Sequence, residues 1–413
     1  MYPIFAALLA VALCAPARAQ EGPPPFTLAR ALDLAGARSP ATEAGQAGIA
    51  SAQAARAVAA LRPNPELNLQ TENVGGSGAY SGFDSAETTA QVTLPLELGG
   101  KRSARIAVAD AQHERALVER AVIDADLGLS VTQAYVAAVA AARRADVASR
   151  QLAIAADALN AAKVRVQAGR ASPLEEQRAG LMHVNAQATA QQTRRLADVA
   201  RTNLSSLIGA PVEGPLDQIW FDALAAAGPV DRAPVATMLI ARAAALDVAT
   251  AQAQVRLAGA QRTPDVQLFA GPRRLSATND TAVLFGVNIP LQLFNNGSAA
   301  LAQARAEQQK ADATRRMTEI QLTQAIASAD AEVANAETAA RIASGAALAA
   351  AEEAARIARI GYREGKFGQI DLLDAERSLA DTRLAAVDAL AAYHDAMARR
   401  DRLTIPAPRD FGN

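Results

Sequence analysis

The sequence predicts a mainly α-helical protein with a small β part, in which one plan of helix, two strands and long helices is used twice. Three observations carry that prediction. Ser103 to Ala168 contains no proline and one internal glycine, Gly128, so it reads as a single helix about 100 Å long. Four short segments change the apolar period from 3.6 to 2. The order of these pieces then recurs, offset by 195 to 199 residues.

Along the long helix, apolar or small residues alternate at spacings of four and three: Val118, Val122, Ala125, Leu129, Thr132, Val136 and Val139, then Ala148, Leu152, Ala155, Leu159, Ala162 and Val166. That is a coiled-coil seam. A lone helix of this length would leave most of its surface wet, so it requires partner helices of comparable length. Composition agrees: 51% of residues are apolar but only 4% are aromatic, as expected where small side chains let long helices approach closely. A net charge of −1 gives no electrostatic reason to expect a nucleic-acid partner.

Residues 1–19 read as a cleaved secretory signal. Ile4 to Leu13 is an apolar run too short to span a bilayer, and Ala17-Arg18-Ala19 is a small-x-small cleavage site, although no Lys or Arg precedes the run. Cys14, the only cysteine, is either a lipid-anchor site or an ordinary leader residue; Leu13 before it favours the second. Beyond the leader no stretch reaches eighteen apolar residues, because the run from Ala134 stops at Arg143, so no transmembrane helix is expected.

The first copy of the plan spans 20–208. Thr27 caps a short helix ending before Pro40, and a second helix runs from about Ala41 to Leu61, stopped by Arg62-Pro63-Asn64-Pro65. Strands follow at about 66–73 and 88–96, joined through Gly75-Gly76-Ser77-Gly78. Each has one oily and one wet face, the pattern a membrane barrel needs. The long helix 103–168 ends at Gly169, and Ser172 to Glu175, with Pro173 between, has capping-box spacing for a return helix 173–208. Residues 209–229, rich in proline and glycine, read as a linker.

The second copy, 230–404, has a helix from about Val235 to Arg262, strands at about 264–270 and 281–291, a long helix 298–364 and a return helix 368–403; 405–413 is a tail. Three places match residue by residue: Pro65-Glu66-Leu67-Asn68-Leu69 with Pro264-Asp265-Val266-Gln267-Leu268, Pro95-Leu96-Glu97-Leu98 with Pro290-Leu291-Gln292-Leu293, and Gly169-Arg170 with Gly365-Lys366. Four strands cannot close a membrane barrel, and open edges are not tolerated in lipid, so a barrel must be shared between chains. Two chains would give eight strands and three would give twelve; the count alone does not choose.

Over nearly all of its mature length the chain resembles the TolC-type outer-membrane efflux proteins. Asn64-Pro65-Glu66-Leu67, Gly75-Gly76-Ser77-Gly78, Glu87-Thr88-Thr89 and Pro95-Leu96-Glu97-Leu98-Gly99-Gly100-Lys101-Arg102 are most similar to the branch serving cobalt-zinc-cadmium (heavy-metal) exporters. The resemblance implies a homotrimer with a shared twelve-stranded transmembrane β-barrel in the outer membrane of a Gram-negative bacterium and an α-barrel tunnel through the periplasm. It also implies docking to a periplasmic adaptor (membrane-fusion) protein and an inner-membrane resistance-nodulation-division pump. On that reading the chain is a passive conduit for heavy-metal cations. The alternatives are a channel for organic drugs or solvents and, with less support, a soluble periplasmic coiled-coil adaptor.

Gly365-Lys366-Phe367-Gly368-Gln369-Ile370-Asp371-Leu372-Leu373-Asp374-Ala375 resembles the family's periplasmic tip, where aspartates from three chains gate the tunnel. The resemblance assigns that gate to Asp371 and Asp374, and more weakly to Glu175; alternatively Asp371 and Glu175 only favour their helix N-termini. The turns at Gly169, Arg170, Gly365 and Lys366 are the expected adaptor contacts, although the two basic residues would equally complement helix C-termini. His113, His183 and His394 are scattered, the methionines form no ladder, and no metal or cofactor site is expected. No phosphate loop, nucleophile elbow or convergent carboxylate pair occurs, which argues against an enzyme. Tyr80, Phe83, Phe269, Phe285 and Phe294 are candidates for an aromatic girdle at the membrane interface.

Overall fold

The computed structural model describes residues 24–224 and 233–408. The leader with Cys14, the linker from residue 225 onward and the tail from 409 lie outside the described residues. In order, the elements are α1 (Leu28–Arg38), α2 (Pro40–Ala59), β1 (Glu66–Glu72), β2 (Glu87–Leu96), α3 (Lys101–Gln167), α4 (Pro173–Ile208), α5 (Gln218–Asp222), α6 (Leu239–Ala260), β3 (Val266–Leu275), β4 (Asp280–Asn288), α7 (Ser298–Ile342), α8 (Leu348–Arg363) and α9 (Gln369–Thr404).

Local chemistry sets the turns. Thr27 Oγ1 accepts from Arg30 N–H at 3.3 Å to start α1, and Ser39 Oγ accepts from Ala41 N–H with Pro40 at the first position of α2. Gly100 and Gly297 both sit in the left-handed region, φ 71° and 73°, and swing the chain from strand into long helix. The second long helix is α7 and α8 joined by a π-helical turn, Ala343–Ala347, where Ser344 Oγ donates back to Ala340 O at 2.7 Å.

α3 is the spine, packing along α2, α4, α6 and α9. Val118, Val136, Val139, Ala148, Ala155 and Ala162 of its seam are buried. A second face, Leu127, Val131 and Tyr135, is buried as well, because α1 and α5 cover the helix at mid-length. By length and composition alone α3 contains an eighteen-residue window apolar enough to cross a bilayer, and 33% of that window is buried among the other helices.

The stretch read as a linker is built into the protein as far as residue 224. Phe26 N–H donates to Pro215 O, Asp217 N–H donates to Phe26 O, and Asp217 caps α5, which buries Phe221 completely. The prolines and glycines that signalled a spacer serve here to turn a packed chain.

Candidate functional site: the sheet and the helical tip

The four strands form one antiparallel sheet in the order β1-β2-β3-β4 at the end of the helical stem. Its register sorts the side chains into two faces. Leu67 and Leu69 of β1 stand opposite Val92 and Ala90 of β2, and Leu268 of β3 stands opposite Leu94 of β2 and Val287 of β4. Those residues, with Phe285 and Val283, make one oily face on which Leu67, Leu69, Val283 and Phe285 are each at least two-thirds exposed. Glu66, Asn68, Gln70 and Glu72 face the other way, with Thr89, Gln91, Arg273 and Asn288. There Arg273 donates to Thr89 Oγ1 at 2.9 Å and to Glu87 at 3.1 Å. β1 and β4 are open edges.

Phe269 departs from the girdle expectation. Its position opposite Thr93 puts it on the wet face, with its ring packed over Gly286, where a Cβ would lie 2.4 Å from the ring. Tyr80, Phe83, Phe285 and Phe294 are exposed, Phe285 on the oily face.

A charge cluster ties the sheet to the stem. Glu97 is paired with Arg105, and Lys101 Nζ lies 2.8 Å from Asp265, which also accepts from Leu98 N–H at 3.1 Å. The Arg105 hydrogen bond holds the Glu97 carboxyl below its ordinary range. For Asp265 burial pushes upward, but Lys101 and the Leu98 amide outweigh it and the net shift is downward.

At the other end of the stem, two turns of the same kind lie side by side. Gly169 (φ 68°) and Gly365 (φ 71°) end α3 and α8, Arg170 N–H donates to Arg165 O, and Lys366 N–H donates to Gly361 O, both at 2.8 Å. Gly169, Arg170, Gly365 and Lys366 are all exposed. Phe367 folds back on Gly361, where any Cβ would sit 2.1 Å from its ring.

The candidate gate residues share one groove of about 810 Å³, lined by Glu175, Asp371 and Asp374 together with Arg165, Arg178 and Arg377. Asp371 Oδ2 accepts from Gly368 N–H at 2.9 Å, the capping contact expected of a first-turn carboxylate. Glu175 differs from the capping-box expectation. Ser172 Oγ accepts from Leu174 N–H at 3.3 Å, while the Glu175 carboxylate turns to Arg165 at 3.0 Å, because an arginine from the facing helix is within reach. Asp374 is exposed. One acid here escaped the sequence reading. Glu376, 3% exposed, is bound through both oxygens by Arg359 of α8, and Gln151 Nε2 donates to its main-chain carbonyl at 3.1 Å. Its place four residues after Leu372 and three before Leu379, on the same helix face, was the available signal.

His394 is the one buried histidine among the described residues; it stacks on Trp220 at 4.2 Å and its Nε2 lies 2.9 Å from Phe221 O. His113 and His183 are half-buried. Among the described residues no group of three or more His, Cys, Asp or Glu is placed to hold a metal ion.

The outer membrane efflux protein family matches residues 31–210 and 241–403, which is most of the chain. The protein belongs to that family. Among curated relatives, the cobalt-zinc-cadmium resistance protein CzcC of Cupriavidus metallidurans is 29% identical over 398 residues, covering 93% of this chain and 91% of its own. The nickel and cobalt resistance protein CnrC of the same species is 33% identical over 315 residues, covering 75% and 73%. Among solved structures, the outer-membrane channel OprN aligns with a TM-score of 0.76 at 21% identity, over 92% of this chain and 90% of its own. The outer membrane protein VceC of Vibrio cholerae aligns at 0.73 and 21%, over 92% and 96%. The fold is therefore that of TolC-type efflux channels, the sequence relatives are heavy-metal resistance proteins, and the family is one of channels and not of enzymes.

Proposed function

We propose that the protein is the outer-membrane subunit of a tripartite efflux system, a passive homotrimeric conduit that carries heavy-metal cations out of the cell. The observation that carries this reading is the open-edged sheet, oily on one face and polar on the other, set at the end of a long helical stem. In lipid such edges must be paired, and three copies supply twelve strands, while the stems assemble below as a tunnel. The chain reads as two copies of one unit, so three chains approach sixfold regularity around the tunnel.

On this reading the leader is cleaved on export, the turns at Gly169, Arg170, Gly365 and Lys366 meet a periplasmic adaptor, and an inner-membrane resistance-nodulation-division pump supplies the cargo. Asp371 and Asp374, repeated in three copies, bring negative charge to the tunnel entrance and favour cations, while Glu175 contributes less because Arg165 pairs with it. The cargo class rests on the curated relatives, which are resistance proteins for cobalt, zinc, cadmium and nickel.

The test is purification from outer membranes in detergent, with the mass of the particle and its conductance in planar bilayers. A trimer with a cation-preferring pore is expected; a monomer without conductance would contradict the proposal. Deletion of the gene should then lower tolerance to cobalt, zinc or cadmium, and unchanged metal tolerance with lowered solvent or drug tolerance would move the cargo to organic compounds.

A further inference from the structure

The two open strand edges fit each other in one register, and we infer that β4 extends through Leu291 and pairs antiparallel with β1 of a second copy so that Leu291 stands opposite Leu67 and Ile289 opposite Leu69. This inference rests on the trimer reading and specifies the surface that makes the trimer. β1 and β4 run in opposite senses at the two sides of the sheet, so closure between copies is antiparallel. Ile289 and Leu291 lie beyond the end of β4, have no strand partner in this chain, and are 51% and 79% exposed.

The register comes from the internal repeat. Within the chain, Pro95 stands opposite Gln267 and Leu96 opposite Val266. The repeat matches Pro95-Leu96 with Pro290-Leu291 and Val266-Gln267 with Leu67-Asn68. Carrying the β2–β3 contact over to the junction between copies places Pro290 opposite Asn68 and Leu291 opposite Leu67. The extended β4 then ends at Leu291, as β2 ends at its counterpart Leu96. All paired apolar side chains fall on the oily face, which a slip of one residue would destroy.

Barrel geometry arbitrates against a slip of two toward steeper strands, and the repeat alone decides against the opposite slip. A row of paired residues crosses the sheet from Glu66 through Thr93 and Phe269 to Gly286. In the inferred register Gly286 meets Glu72 of the next copy, so each copy climbs from position 66 to position 72. Three copies accumulate a stagger of about 18 residues over twelve strands, which at ~3.3 Å per residue and ~4.8 Å between strands tilts the strands by about 45°. Sliding two residues further, with Leu291 opposite Leu69, raises the stagger to about 24 and the tilt to about 54°, beyond the usual range of about 35–45°, whereas the opposite slip, with Ile289 opposite Leu67, gives about 12 and about 35°, within that range, and conflicts only with the repeat.

Paired cysteines test this in the full-length protein extracted from outer membranes. Directly opposed positions in an antiparallel pair bring Cβ atoms within disulfide reach. Leu67→Cys with Leu291→Cys, and Leu69→Cys with Ile289→Cys, should each give covalent trimers under mild oxidation, at least tenfold faster than Leu69→Cys with Leu291→Cys or Leu67→Cys with Ile289→Cys. The single variants, which also control for Cys14, should give none. Faster linking of the Leu69 and Leu291 pair or of the Leu67 and Ile289 pair would overturn the register. No linking by any pair in a particle of three-chain mass would overturn the pairing of these edges while leaving the trimer intact, and a particle of any other mass would overturn the trimer reading itself.

Discussion

Tyr135 joins three segments through one oxygen: its hydroxyl donates to Phe26 O at 2.7 Å and accepts from Asp217 N–H at 3.0 Å. Burial pushes its pKa up to about 12, so it stays neutral at any physiological pH. Tyr135→Phe removes one partner from each of two main-chain groups that still bond to each other and should destabilise the protein by about 0.5–1.5 kcal/mol, measured as a lower midpoint of thermal unfolding in detergent. Burial lowers the pKa of the neighbouring His394, against weaker upward pulls from Phe221 O and Asp222. A histidine kept neutral by folding contributes stability above its unfolded pKa near ~6.5, and that contribution falls away as pH drops through the lower folded value. The unfolding free energy between about pH 7.5 and 5.5, taken from denaturant titrations, should therefore fall more in the native protein than in His394→Gln, by at most about 1.4 kcal/mol per pH unit. Equal slopes would show that His394 does not report the acid loss. At the tip, Asp371→Ala with Asp374→Ala should raise single-channel conductance and weaken cation preference; since Asp371 also caps α9, Asp374→Ala alone should show part of the effect without the loss of a cap. Unchanged conductance in both variants would remove these acids from the gate.

Among the elements, the β2–β3 seam is where the sheet is least forgiving. Gly271 lies so close to β2 that a Cβ would fall 1.9 Å from Ala90 O, a backbone atom that cannot swing aside. Gly271→Val should separate β2 from β3 and prevent assembly of the proposed trimer, read as loss of the three-chain mass in detergent, whereas Gly259→Val, in open space on α6, should leave that mass unchanged. The long elements were legible in the sequence because their causes are local: Gly169 and Gly365 supply left-handed stops, Pro173 starts a helix, and a period of two marks each strand. The buried Leu127, Val131 and Tyr135 face of α3 was not legible, because it depends on where α1 and α5 land rather than on α3's own repeat. Phe269 misled for a related reason: which face it takes is set by register with β2, and an aromatic near a strand end signals the interface only when it points outward. Glu175 was placed at its helix start correctly, but its partner, Arg165, comes from the facing helix and is invisible to a spacing rule.

For the molecule as a whole, the energetics divide between two ends and a middle. The middle is held by the aromatic cluster around Tyr135, Phe221 and Tyr393 and by small-residue seams, with Arg144–Asp388 and Gln133–Asp395 linking α3 to α9. The tip carries charge on exposed turns, and the sheet carries an oily face with unpaired edges, so both ends are incomplete in one copy. Association should therefore be driven at the sheet and along the stem while the tip stays adjustable, and limited proteolysis of the extracted particle should cut first near Gly169 or Gly365 and spare the strands. The measurement that bears most directly on the central claim is the mass of the protein extracted from outer membranes, taken together with its conductance. Three chains and a cation-preferring pore are the predicted result; a single chain that partitions away from membranes and opens no pore would contradict the account.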